Sequence, residues 1–165
     1  MLLKLDAANS KLKLVYDHQL SLIEHPDIVE SIQKLTLDSS RPYLGLKGSC
    51  GLYGSLEWWG SIQNGTMPLE YAAGIISKIY SSIGDGVVGQ GVSTEDIEVE
   101  FEFVNSDGSL GLESAYVNDV ADYSLFRVGA KIEIVYALDE LKMQPAENGG
   151  INYSRQVLEM AVSLE

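Results

Sequence analysis

Within residues 96–104, acidic and apolar side chains alternate strictly as far as Phe103, and this pattern constrains the fold more than any other feature of the sequence. The apolar positions are Ile97, Val99, Phe101 and Phe103, and the glutamates between them are Glu98, Glu100 and Glu102. A period of two residues is typical of a β-strand with one buried face. The segment therefore predicts a half-buried strand that turns its glutamates to solvent.

Further segments of the second half also favour strands. Residues 105–108 predict a turn, which leads into a second strand ending at Val117, and residues 130–136 predict a third. Residues 71–80 could form a helix by length. A strand is favoured there because Gly74 would cost a helix about 1 kcal/mol and the isoleucines and tyrosines are common in strands. Residues 156–162 predict a last strand, with a helix as the alternative.

The first third of the chain has a mixed pattern. Residues 2–6 and 11–16 flank a short polar stretch and predict a hairpin. Residues 25–37 predict a helix, since Pro26 suits the first helical position and an apolar stripe follows at helical spacing. Residues 43–65 are glycine-rich and suggest bent strands or bulges, with a short helical turn at 55–62 capped by Ser55.

These elements predict a mainly β (α+β) fold. Two architectures remain open: a small OB-like β-barrel, or a strongly bent antiparallel sheet with one or two short helices. At 165 residues a single domain is expected, because no long polar linker divides the chain. Residues 1–66 would supply the hairpin, helix and glycine-rich segment, and residues 67–162 the acidic barrel-like part.

The net charge of −13 is unevenly distributed along the sequence. Residues 1–67 hold six basic and seven acidic residues, whereas residues 68–165 hold five and seventeen. A segment this acidic repels nucleic-acid phosphates and anionic membrane surfaces. It favours solubility and the binding of a basic protein.

The alternating glutamates form the centre of a candidate partner-binding face. The residues assigned to this acidic face are Glu98, Glu100, Glu102, Glu113, Asp119 and Asp122. An ordinary solvent-exposed strand face gives the same pattern. As a functional surface, the acidic face is a candidate for docking a partner and not for catalysis. No catalytic residue is assigned.

A small enzyme or ligand-binding barrel is the alternative function. Its pocket would lie near the glycine-rich segments 48–54 and 84–91, and the aromatic candidates to line it are Tyr53, Trp58, Trp59 and Tyr80. The two histidines, His18 and His25, belong to no metal-binding motif, and Cys50 lacks a partner motif for nucleophilic catalysis. The sequence therefore predicts no metal and no cofactor.

A single-strand nucleic-acid binder of the OB type is the least favoured function. It needs a basic groove, which only the lysines of the first third could build: Lys4, Lys11, Lys13, Lys34 and Lys47. The single cysteine suits a reducing compartment, and Lys4 and Asp6 interrupt any signal-peptide core, so a cytoplasmic location is expected. The oligomeric state stays open.

Two passages carry a resemblance to known proteins. Residues 67–80 and 125–141 look like stretches of small uncharacterised bacterial proteins, and Val128-Gly-Ala-Lys-Ile-Glu-Ile-Val-Tyr136 resembles a strand of OB-like barrels. The size, the acidity and the missing catalytic motif resemble bacterial immunity proteins that neutralise a toxin. This likeness implies a non-enzymatic, immunity- or antitoxin-like inhibitor of a basic partner protein, which is the favoured function.

Overall fold

The structure, a computed structural model, describes residues 2–5, 11–81 and 98–165. Its strands are β1 (Leu12–Asp17), β2 (Leu69–Ser81), β3 (Val99–Asn105), β4 (Leu110–Ser114), β5 (Lys131–Glu140) and β6 (Tyr153–Ser163). Its helices are α1 (His18–Glu24), α2 (Pro26–Leu37), α3 (Leu56–Gln63) and a 3-10 helix at Val120–Leu125. The expected glycine-rich loop at 84–91, the turn at 7–10 and the first two residues of the alternating segment lie outside the described residues.

The strands form one six-stranded sheet in the order β1-β6-β5-β2-β3-β4. The pairs β1–β6, β2–β3 and β3–β4 are antiparallel. Within the described part of the chain the sheet is open, with β1 and β4 at its edges. The mainly β fold is thus confirmed in its open antiparallel form, and the closed barrel is not formed.

Several elements agree with the sequence predictions. The alternating segment forms β3, residues 71–80 lie in β2 and not in a helix, and residues 156–162 lie in β6. Pro26 occupies the start of α2. The Oγ of Ser55 accepts a hydrogen bond from the Trp58 N–H at 3.2 Å, which satisfies one of the unpaired donors at the start of α3.

The predicted N-terminal hairpin is wrong. Strand β1 pairs with β6, from Leu12 opposite Ser163 to Asp17 opposite Glu159. Residues 2–5 form no strand; instead the backbone N–H groups of Leu2 and Leu3 donate to the carboxylate of Glu159 at 2.8–2.9 Å. The Glu159 carboxylate thereby accepts hydrogen bonds from the N–H groups that a hairpin would have paired with a neighbouring strand.

The bent strands expected between residues 43 and 65 are also wrong. This segment forms turns and α3, and only Leu46 makes an isolated bridge, to Leu141. Gly45, Gly48, Gly51 and Gly54 all have positive φ angles between 76° and 101°. Those angles reverse the chain direction and are incompatible with an extended ladder.

Helix α1 was not predicted from the sequence. This helix follows β1 directly, with no turn residue between Asp17 and His18. Its apolar residues Leu20 and Ile23 are exposed. The helix therefore lacks the buried apolar stripe by which an amphipathic helix is predicted from sequence.

The chain divides into two compact units. The first comprises Met1–Asp17, Tyr71–Val135 and Glu159–Glu165, and the second comprises His18–Glu70 and Tyr136–Leu158. In the first unit, Phe101, Ile132, Ile134 and Met160 are among the most deeply buried side chains. In the second unit the core includes Trp58, Met67, Tyr136 and Leu158. The expectation of a single domain stays a prediction.

Candidate functional site

Strand β3 separates its two kinds of side chain as the alternation predicts. Val99, Phe101 and Phe103 are buried. Glu100 is exposed and Glu102 is half-buried on the opposite side of the strand, and Glu98, just before the strand, is exposed. The glutamates are therefore turned away from the core of the first unit.

The cross-strand register shows which residues join these glutamates. Three rows cross β2, β3 and β4: Tyr80–Glu100–Ser114, Lys78–Glu102–Leu112 and Ile75–Val104–Leu110. Paired residues of an antiparallel sheet point to the same side. We call this side, made by the residues of the three rows, the outer face.

The outer face is apolar at one end and acidic at the other. Ile75, Leu110 and Leu112 are 49%, 68% and 62% exposed. Leu112 lies two residues from Leu110 on the same strand and pairs with Glu102, so the leucines and the glutamates form one continuous surface.

Tyr80 and Lys78 contact the acidic end. The Tyr80 hydroxyl donates to Glu102 Oε1 at 2.8 Å, and the Lys78 ammonium lies 4.8 Å from the centroid of the Tyr80 ring. Hydrogen bonding to the Tyr80 side chain, and then the charge of Glu102, raise the pKa of Lys78. Glu102 is thus held in place by the Tyr80 hydroxyl.

The structure does not bring the other three predicted acidic residues to the outer face. Glu113 pairs with Phe101, so it lies on the opposite side of the sheet from Glu100 and Glu102. Asp119 caps the 3-10 helix by accepting from the Ala121 N–H at 3.0 Å. Asp122 is buried and forms an ion pair with Lys13 at 2.6 Å.

Two open depressions adjoin the glutamates and the apolar end. One of about 320 Å³ is lined by Glu98, Glu100, Tyr116 and Tyr123, among others. Another of about 450 Å³ is lined at the outer face by Ile75 and Val104, together with Lys131 and Glu133 of β5 and other residues. The outer face is therefore bordered by two concave depressions in addition to carrying charge.

Three of the four aromatic pocket candidates pack together in the second unit. Trp58 stacks edge-on against Tyr53 and Trp59, with ring centroids 5.1 and 4.8 Å apart. Tyr53 and Trp58 are buried, and Trp59 is half-buried. Little of Tyr53 and Trp58 is left to contact a ligand. Tyr80, the fourth candidate, belongs to the outer face of the first unit.

His18 completes this aromatic cluster. Its Nε2 lies 2.8 Å from the Tyr53 hydroxyl, and its ring is within 6.2 Å of both tryptophan rings, centroid to centroid. Burial lowers the pKa of His18 to about 4. The imidazole is therefore neutral at pH 7 and acts as a core residue.

Asp139 is a buried carboxyl in the second unit that was not among the residues predicted from the sequence. Its Oδ2 accepts from the Trp58 indole N–H at 2.9 Å, whereas its buried Oδ1 has no hydrogen-bond partner among the described residues. Burial raises the pKa of Asp139, and the Trp58 hydrogen bond opposes that rise. The available signal was an acidic residue that directly follows the apolar run at residues 134–138.

Cys50 is a free, half-buried thiol, and burial raises its pKa. Among the residues that the structure describes, no three His, Cys, Asp or Glu side chains gather in a way that could hold a metal ion. In those same residues, no helix is long and apolar enough to cross a membrane.

Comparison with known proteins identifies the family. No curated protein matches the chain. A family model described as "Immunity protein RhsI2" matches residues 12–163, which includes all six strands and all the helices. The chain belongs to the RhsI2 family of immunity proteins.

Proposed function

We propose that this chain is a non-enzymatic inhibitor that neutralises a basic toxin by binding it through the outer face. Family membership over residues 12–163 carries the inhibitory role, because an immunity protein acts on a partner toxin. The exposure of the outer face supports it as the binding surface, and its charge supports a basic partner.

The apolar end supports a binding surface. Soluble proteins rarely expose adjacent large apolar side chains, and such patches mark interaction sites when polar residues surround them. Ile75, Leu110 and Leu112 form such a group. Burying apolar area against a partner contributes roughly 25 cal/mol per Å², so these side chains are the expected source of affinity.

The acidic end supports a basic partner. Glu100 is exposed, Glu102 is oriented by the Tyr80 hydroxyl, and the chain as a whole carries a net charge of −13. Complementary charge steers association and excludes wrong partners more than it adds affinity. A toxin surface rich in lysine or arginine would satisfy both glutamates.

The test uses the toxin whose growth inhibition the chain relieves. The double variant Glu100→Lys/Glu102→Lys is compared with Glu24→Lys/Glu147→Lys, which changes the net charge equally at two exposed sites of the second unit. We expect the outer-face variant to raise the Kd for the toxin domain at least about tenfold, in the range of charge pairs measured across interfaces, and to lose protection of growth. Equal effects of the two double variants would reject the outer face as the binding surface.

A further inference from the structure

Among the described residues, the edge of β4 is the part of the outer face whose backbone has no neighbouring strand on one side. Strand β4 is the last strand in the sheet order, and its one neighbour in that order is β3. Exposed edge strands can pair with another chain, and proteins commonly protect them with charges, prolines or bulges. The sequence of β4, Leu-Gly-Leu-Glu-Ser, has no proline, and its pairing with β3 runs from Leu110 to Ser114 with no shift in register.

The hydrogen bonds at the two ends of the β3–β4 pair show which backbone groups are turned outward. The Asn105 N–H donates to the Ser109 carbonyl at 2.8 Å, and the Ala115 N–H donates to the Val99 carbonyl at 2.7 Å. In an antiparallel pair, hydrogen-bonded and non-hydrogen-bonded residue pairs alternate. Gly111 and Glu113 therefore bond to β3, whereas Leu110 and Leu112 direct their N–H and C=O groups away from it.

The one charge of β4 protects only one end of this edge. Glu113 lies on the side opposite the outer face, paired with Phe101, and its carboxylate accepts the Ser114 N–H at 2.9 Å. Inward-pointing charges of this kind protect edge strands. Leu110 and Leu112 lie nearer the start of the strand, and both are exposed on the outer face, so their outward backbone groups and exposed apolar side chains form the unprotected part of the edge.

We infer that the toxin adds an extended segment to β4 as a seventh strand of the sheet, an inference that rests on the proposed function. In this mode backbone hydrogen bonds give affinity, and alternate side chains give specificity. Every second side chain of the added segment lies on the outer face, beside Leu110 and Leu112. The segment fitting this surface has apolar residues at those positions, and a lysine or arginine long enough to reach Glu102 or Glu100 across β4.

Charge argues against a second copy of this chain as the occupant. Each copy carries a net charge of −13, and pairing two β4 edges would bring two acidic outer faces side by side. Like charges brought together across an interface oppose association. A basic segment gains from the same field that repels a second copy.

The test compares Leu112→Pro with Leu112→Thr. Both variants remove the leucine side chain, but only proline removes the outward N–H, and proline is tolerated on an edge strand where the N–H faces solvent. We expect Leu112→Pro to bind the purified toxin domain about tenfold more weakly than Leu112→Thr, because one backbone hydrogen bond is lost and the approaching strand is obstructed. Equal Kd values for the two folded variants would overturn the inference.

Amide hydrogen exchange of the unmodified chain gives a second measurement that does not depend on the folding of a variant. In the toxin complex we expect exchange at the Leu110 and Leu112 amides to slow at least about tenfold, as for amides newly engaged in a ladder. Unchanged exchange at both amides in a saturated complex overturns strand addition while leaving the proposed function intact. Absence of any toxin binding overturns both, and concentration-dependent protection without toxin identifies a second copy as the occupant and overturns the inference.

Discussion

The indole N–H of Trp58 donates to Asp139 Oδ2 at 2.9 Å, while Oδ1 of the same buried carboxyl has no partner among the described residues. Trp58 is fully buried. The tryptophan thus supplies a hydrogen bond that stabilises a negative charge at a position where burial disfavours it.

Replacing Trp58 by Phe is expected to lower the free energy of unfolding by about 2 kcal/mol or more at pH 7, because it removes a hydrogen bond to a buried carboxyl oxygen. The folded-state pKa of Asp139 is already raised, so its contribution to stability declines as pH rises through that pKa. Loss of the bond raises this pKa further, and the cost of the substitution is therefore smaller in acid. Urea unfolding at several pH values measures this difference. Trp59→Phe is the matched control, and a cost of Trp58→Phe that does not change with pH would contradict this account.

The pKa of His18 predicts a loss of stability in mild acid. It is about 4 in the folded chain, against an ordinary value of 6.5, so the unfolded chain takes up a proton first as pH falls. Stability from this group is complete above pH 6.5 and declines towards pH 4, by at most about 3 kcal/mol at 1.36 kcal/mol per pKa unit. Protonation of Asp139 acts in the opposite direction and reduces the net loss.

His18→Gln tests the contribution of the imidazole. Glutamine can keep a polar contact with the Tyr53 hydroxyl but does not titrate. We expect thermal denaturation of the variant to change less between pH 6.5 and pH 4 than that of the unmodified chain. Parallel pH profiles of the two proteins would show that His18 is not the responsible group.

Two Gly→Ala substitutions are expected to have opposite effects. A Cβ at Gly111 would lie 2.3 Å from Cζ of the buried Phe103 ring, so Gly111→Ala should destabilise the chain by about 1–3 kcal/mol through overpacking. At Gly60, inside α3, nothing lies within 4 Å of the added Cβ, and alanine should stabilise by up to about 1 kcal/mol. Melting temperatures measure both, and destabilisation at Gly60 equal to that at Gly111 would contradict the packing described for β4.

Salt should weaken the toxin complex through the outer face. Screening shortens the Debye length from about 10 Å at 0.1 M salt to about 3 Å at 1 M, so the Kd of the unmodified chain should rise with salt. The Glu100→Lys/Glu102→Lys variant should show a smaller rise. Isothermal titration calorimetry at low and high salt measures both slopes, and identical slopes would place the electrostatic contacts elsewhere.

Short sequence patterns predicted the elements whose formation depends on residues close together in the chain. The alternation around Phe101, the proline at the start of α2 and the Ser55 cap each identified an element present in the structure. The pairing of β1 with β6 was not predictable in the same way, because it joins the two ends of the sequence. A nearby partner, residues 2–6, matched the strand pattern equally well.

Strand register decides which of the six predicted acidic residues share a side of the sheet, and the sequence pattern does not give that register. The turn at 106–108 pairs Phe101 with Glu113 and Glu102 with Leu112. A shift of this register by one residue would have placed Glu113 on the same side as the other glutamates. The alternation of β4 alone suggests buried leucines, whereas the Phe103 ring occupies the space above Gly111 and the leucines face outward.

Chemical-shift mapping of the ¹⁵N-labelled chain with its toxin domain tests whether the toxin binds the outer face. We expect the largest changes at residues 75–80, 100–104 and 110–114. Changes confined to the helices α1–α3 would contradict this expectation, since the toxin would then be bound by the second unit and not by the outer face.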